Sequence, residues 1–173
     1  NKSGVDAVYY RVNGSRKSIY GENILLPTMS GLDTISYYAE DRVGNMSKEE
    51  YLFVHMDNDA PITNIEFGSP QFYKAQVLYV TSKTKINFYP SDNGSGTSTT
   101  LFAIDEGQNS EYEGEFIVNG EGIHSVSFFS TDNVNNEERV IVSRFHIDNT
   151  PPRIDYSFSV EASSVIDDEM GRF

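Results

Sequence analysis

The chain repeats itself at the scale of a whole domain. Ser3-Gly4-Val5, the run Tyr37-Tyr38-Ala39-Glu40-Asp41-Arg42-Val43-Gly44-Asn45 and the segment Asp57-Asn58-Asp59-Ala60-Pro61 all return. Their second versions are Ser95-Gly96-Thr97, Phe128-Phe129-Ser130-Thr131-Asp132-Asn133-Val134-Asn135-Asn136 and Asp148-Asn149-Thr150-Pro151-Pro152. The offset is 92 residues at the first anchor (3 to 95) and 91 at the other two (41 to 132, 57 to 148), so a single indel separates the copies. A period of that length is one small domain per copy, and it predicts a modular, extended molecule.

Phase assigns the units. Residues 1–56 match the last two-thirds of a unit, residues 57–150 make one complete copy, and residues 151–173 match the start of another copy or form a tail. A partial sandwich leaves strand edges and core surface open, which predicts that the chain is a piece of a longer array. The stretch Ala162–Phe173 lacks strand alternation, and a loosely held tail is expected there.

Each copy reads as strands. Short alternating runs rich in Tyr and Phe occur at 6–12, 23–26, 34–40, 50–56, 62–67, 76–80, 84–89, 99–104, 115–118, 124–131 and 139–147, with turn residues between them. No stretch of helical length keeps a 3.6-residue apolar period. The expected fold class is all-β: tandem immunoglobulin-like antiparallel β-sandwich domains. Alternation places Ile35, Tyr37 and Ala39, and likewise Val126, Phe128 and Ser130, on the core face. Val8, Tyr10 and Val12 should join them, against Thr100, Phe102 and Ile104 in the second copy. Two copies that differ in residue but agree in pattern fix the register, because a one-residue slip would expose every core side chain. Asp41–Asn45 and Asp132–Asn136 read as hairpin turns. The prolines of the Asp-Asn segments deny a ladder donor and stiffen short linkers.

Composition narrows the function. With 26 acidic against 13 basic residues the net charge is −13, which repels nucleic acid and anionic membrane surfaces. Cysteine is absent, which removes disulfides, thiolate nucleophiles and cysteine-based metal sites. No apolar run reaches spanning length and no signal-peptide pattern opens the chain, so a mature, soluble segment without direct membrane insertion is expected.

No catalytic set assembles. His55 and His146 are repeat-equivalent and, with His124, lie on or beside strands, where scaffold roles are the expectation. Asp41 and Asp132 could pair with other carboxylates, but a short Asp in a hairpin turn caps backbone amides. Phosphate loops, zinc-binding His pairs and nucleophile elbows are missing, so no enzymatic activity is expected. Two candidate sites follow from the pattern. Asp57 and Asp59 of the linker, with Asp92 and Asp132, should converge at one end of the complete domain and could ligate calcium, which takes six to eight oxygens; the competing reading is turn chemistry alone. Tyr9 and Tyr38, with Leu101 and Phe129 as their counterparts, point away from the core on neighbouring strands and could contact a protein or glycan ligand. Cross-strand pairing is the alternative for these aromatics.

Ser-Gly-Val before a Tyr-Tyr strand, an aromatic pair leading into Glu-Asp-x-x-Gly-Asn, and Asp-Asn-x-x-Pro together resemble the immunoglobulin-like tandem repeats of bacterial surface proteins. They are most similar to the repeat of spirochaetal outer-membrane adhesins. Asn135 stands where that family has Gly, and Thr97 where it has Val. The resemblance implies a cell-surface, extracellular or periplasmic module that spaces other domains or adheres to host matrix, with neighbouring repeats as its partners. The linker likewise resembles the calcium-binding linker of cadherins. The alternative function is a carbohydrate-binding or spacer module of a large secreted enzyme or phage fibre.

Overall fold

The computed structural model describes residues 2–157, and all regular structure there is strand. The tail expected at Ala162–Phe173 lies outside the described residues. The first unit is one four-stranded sheet of β1 (Val5–Val12), β2 (Ser18–Ile19), β3 (Gly31–Asp41) and β4 (Glu50–Met56), in the order β2-β1-β3-β4. After the linker come β5 (Ile62–Phe67), β6 (Gln71–Lys74), β7 (Val77–Val80), β8 (Ile86–Ser91), β9 (Thr97–Ile104), β10 (Ser110–Glu111), β11 (Gly122–Asp132) and β12 (Ile141–Ile147). They form a six-stranded sheet, β10-β9-β11-β12-β7-β6, and a two-stranded sheet, β5-β8, packed over it.

The two copies share a register. Tyr37 lies opposite Tyr10 and Ile35 opposite Leu52, as Phe128 lies opposite Phe102 and Val126 opposite Ser143. Both copies even place the same irregularity, between Val5 and Ala7 in one and between Thr97 and Thr99 in the other. Side chains directly opposite each other share a face, so the inward set follows from the ladder itself.

In the second unit that face is closed. Phe67, Ile86 and Phe88 from the smaller layer meet Val126, Phe128, Phe145 and Ile147 from the larger one. Burying a side chain such as Phe88 contributes about 1.5–3 kcal/mol by removing apolar surface from water. A buried hydroxyl chain also ties the layers: Thr63 Oγ1 to Ser130 Oγ at 2.6 Å and Thr100 Oγ1 to Ser130 Oγ at 2.7 Å. Glu138 accepts hydrogen bonds from the N–H groups of Thr63 and Ser130, which satisfies two donors at once.

The structure corrects four expectations. The segments 23–26 and 115–118 are not strands; Phe116 makes one isolated bridge to Ile86, and Phe116 and Val118 reach the core without a ladder. The short strands β2, β6 and β10 lie outside the expected runs because they carry little alternation to reveal them. The β12–β7 pair is parallel, within an otherwise antiparallel set of ladders. Finally, Tyr37 is 43% exposed where its counterpart Phe128 is 1% exposed, because no counterpart of the β5–β8 layer covers the first sheet among the described residues.

Candidate functional site

Asp41 and Asp132 occupy identical settings. The Asp41 Oδ1 accepts the N–H groups of Val43 and Asn45 at 3.0 and 2.9 Å, and its Oδ2 accepts the Asn45 side-chain amide at 3.0 Å. Asp132 does the same with Val134, Asn136 and the Asn136 amide at 2.9, 2.8 and 2.7 Å. The turns need a left-handed residue just before the asparagine, and Gly44 (φ 85°) and Asn135 (φ 70°) supply it. Asn135 therefore fills the place of a glycine without loss of the turn. Hydrogen bonds led by the Asn45 side chain pull the Asp41 pKa down to about 2. Burial pushes Asp132 up, but the Asn136 and Val134 donors outweigh it and leave its pKa below the ordinary carboxylate value.

The linker is built onto this platform. Asp57 Oδ2 accepts the Ser95 N–H at 2.5 Å, Oδ1 accepts the Asp59 N–H at 3.2 Å, and the Asp57 carbonyl accepts the Asn136 side-chain amide at 3.1 Å. The Ser95 hydroxyl is buried and short of an ideal hydrogen-bond geometry. It still stands close enough to the Asp57 carboxylate to be, with the Ser95 N–H, the chief cause of its lowered pKa. Asp92 Oδ2 receives the Gly94 and Gly96 N–H groups at 2.9 and 2.7 Å, which shapes the receiving loop. A Cβ on Gly94 would collide with the Asp57 carboxyl group, so glycine is required there for close approach rather than for its backbone freedom.

Asn58 binds the other way. Its N–H donates to Ser30 Oγ at 2.9 Å and its side-chain amide to the Thr28 carbonyl at 3.1 Å, both in the first unit. Asn149 repeats the arrangement at the far end of the second unit, bonding Ser82 through its side chain and Glu121, the counterpart of Ser30, through its N–H. The Asp-Asn pair is thus a two-way latch. Aspartate grips the following unit and asparagine the preceding one.

Of the carboxylates expected to converge, Asp57, Asp92 and Asp132 do so, each offering an oxygen within 4.8 Å of the others. Asp59 is not part of that group; it contributes its N–H to Asp57. Two calcium ligands on opposite sides of an ion at about 2.4 Å stand about 4.8 Å apart, so the spacing fits, although three carboxylates supply only part of the usual six to eight oxygens. The outward aromatics are also brought together. Tyr9 lies opposite Tyr38 with ring centroids 5.3 Å apart, and the Lys17 ammonium sits 4.3 Å above the Tyr9 ring. Leu101 faces Phe129 in the same register, and all four side chains are half-buried.

A histidine–carboxylate pair was hidden in the sequence. His124 Nδ1 lies 2.7 Å from Asp105 Oδ2, while Asp105 Oδ1 accepts the Ser125 N–H at 2.8 Å. Burial pushes Asp105 up, and these two partners pull it below the ordinary value. The repeat supplies a control for its meaning. At the equivalent place Asn13 donates to Asp33 at 2.6 Å and accepts the Thr34 N–H at 2.8 Å, and Asn13 and Asp105 share a left-handed φ of 50°. One geometry filled by Asn/Asp in one copy and Asp/His in the other is a turn clamp, since an acid–base role would not survive that exchange. Of the remaining histidines, His146 packs against Tyr79 at 5.2 Å and His55 is exposed.

No family model matches the chain, and no curated protein does. Among solved structures it is similar to the fibronectin(III)-like modules of Clostridium thermocellum CbhA, at 14% identity and a TM-score of 0.38 over 90% of this chain and 86% of that one.

Proposed function

We propose that the chain is a non-enzymatic spacing module of a bacterial surface or secreted protein, in which successive β-sandwich units are held at fixed separation. The two-way latch carries the reading. A free linker would leave its polar groups to water, whereas Asp57 and Asn58 bond into the units on either side of them. Backbone ¹⁵N relaxation tests it: a latched pair tumbles with one correlation time, and Asp57→Ala/Asn58→Ala should give each unit its own. Independent tumbling of the unaltered chain would refute the spacer reading.

The adhesive part of the proposal places ligand contact on the outer sheet face, at Tyr9 and Tyr38 and at Leu101 and Phe129. Tyrosine and phenylalanine offer apolar contact area at small entropic cost. Binding to matrix proteins and glycans should fall in a folded Tyr9→Ala/Tyr38→Ala variant; unchanged binding would move the contact elsewhere.

The convergence of Asp57, Asp92 and Asp132 favours a second role for the junction, a calcium clip over the latch. An ion that binds only the folded state raises the unfolding midpoint with concentration. Millimolar calcium should therefore raise the midpoint relative to chelator, and an unchanged midpoint would leave these carboxylates to the latch alone.

A further inference from the structure

The first unit carries a cleft of about 290 Å³ on its inward face, lined by Tyr10, Tyr20, Ile24, Tyr37 and Leu52 among others. The repeat identifies what it is shaped for. The residues equivalent to Tyr10, Tyr20, Ile24 and Tyr37, at offsets of 92 for the first three and 91 for the last, are Phe102, Tyr112, Phe116 and Phe128. Those four surround one ring. Phe88 of β8 sits with its centroid 5.7 Å from Phe102, 5.0 Å from Tyr112, 5.4 Å from Phe116 and 4.6 Å from Phe128.

The backbone around that ring is specified too. Ile86 and Phe116 exchange two hydrogen bonds, at 2.8 and 3.1 Å, which fix β8 against the segment that supplies Phe116. Ile24 stands at the Phe116 position and offers the same N–H and C=O to an incoming strand. The side chains that would be covered are now half in water: Tyr20 and Leu52 are each 51% exposed. An aromatic-lined recess with backbone donors and acceptors beside it is a strand-docking surface, in which main-chain bonds give affinity and side-chain pockets give specificity.

We propose that this cleft is a socket for a partner strand of β8 chemistry, an extended segment with an aliphatic, a polar and then an aromatic residue (as in Ile86-Asn87-Phe88). Its aromatic side chain enters between Tyr10, Tyr20, Ile24 and Tyr37. The inference goes beyond the spacer reading and does not rest on it, since it concerns the inward face of the first sheet and not the linker. An incoming strand would restore for the first unit the two-layer arrangement that closes the second.

The test uses the full chain and a synthetic peptide of the β8 sequence, Thr84 to Ser91, followed by amide NMR. The peptide should shift the resonances of Tyr10, Ile24 and Tyr37 in a saturable way, and a peptide with Phe88→Ala should bind about tenfold more weakly or worse. The altered peptide keeps Lys85, so general attraction to a chain of net charge −13 is the same for both peptides. A Leu52→Lys chain, altered at an exposed lining position, should lose the shifts while keeping its β-sheet spectrum. Absence of binding at about 1 mM, or equal binding of the two peptides, would overturn the proposal. So would a dimer of the chain that Leu52→Lys dissolves, or a site that opens only when residues 158–173 are removed, because each assigns the cleft to a different occupant.

Discussion

Asp57 and Asn58 are neighbours in sequence and hold opposite units. That division of labour makes the two side chains separable by mutation. Gly94→Ala should act like Asp57→Ala, because the new methyl group displaces the Asp57 carboxyl while the Gly94 backbone is not in the left-handed region. Both changes should release the linker from the second unit and leave its β-sheet intact; amide exchange at Ser95, the N–H that Asp57 holds, reads this directly. Acid has a parallel effect. Asp41, Asp57 and Asp132 all titrate below the ordinary carboxylate range, Asp41 at about 2. A folded-state pKa below the unfolded value of about 3.9 means stability that is complete above that value and lost as pH falls through the folded one. The thermal midpoint should thus decline between about pH 4 and pH 2, and Asp41→Asn should flatten part of that decline. At this scale the sequence displayed the Asp-Asn-x-x-Pro motif and the convergence of three of four aspartates. The direction of each hydrogen bond was not legible, because Asp and Asn at adjacent turn positions look alike until the loops 28–30 and 94–96 are placed around them.

The elements show where alternation informs and where it misleads. Paired strands such as β3 and β11 were readable because each buries one face and repeats its pattern 91 residues away. The segments 23–26 and 115–118 carry short apolar runs, Ile24-Leu25-Leu26 and Phe116-Ile117-Val118, and are not strands: Phe116 and Val118 reach the core from an irregular segment. Their burial is strand-like although their hydrogen bonding is not. Equivalent positions also differ in energetic weight. Phe128→Ala should cost about 3–5 kcal/mol, the usual range for emptying a packed aromatic site. Tyr37→Ala, at the same register position but 43% exposed, should cost about 1 kcal/mol or less. Denaturant unfolding of the two variants measures the difference, and equal costs would mean that the first sheet is covered as completely as the second.

For the molecule as a whole, the proposed spacing role turns on the junction. One Asp-Asn pair joins the first unit to the second, and Asn149 already repeats the backward half of the latch at the next boundary. A series of such joints transmits orientation from unit to unit, which a flexible linker of the same length would lose. The absence of cysteine allows this to be measured cleanly, since labels attach only where cysteines are introduced. Phe53 on β4 and Arg144 on β12 are repeat-equivalent, exposed strand positions on the two units. Double electron–electron resonance between nitroxides at Phe53→Cys and Arg144→Cys gives the distribution of distances across the junction. A working latch predicts one narrow distribution that broadens when Asp57→Ala and Asn58→Ala are added, whereas a broad distribution in the unaltered linker, or no change on removing both side chains, would contradict it.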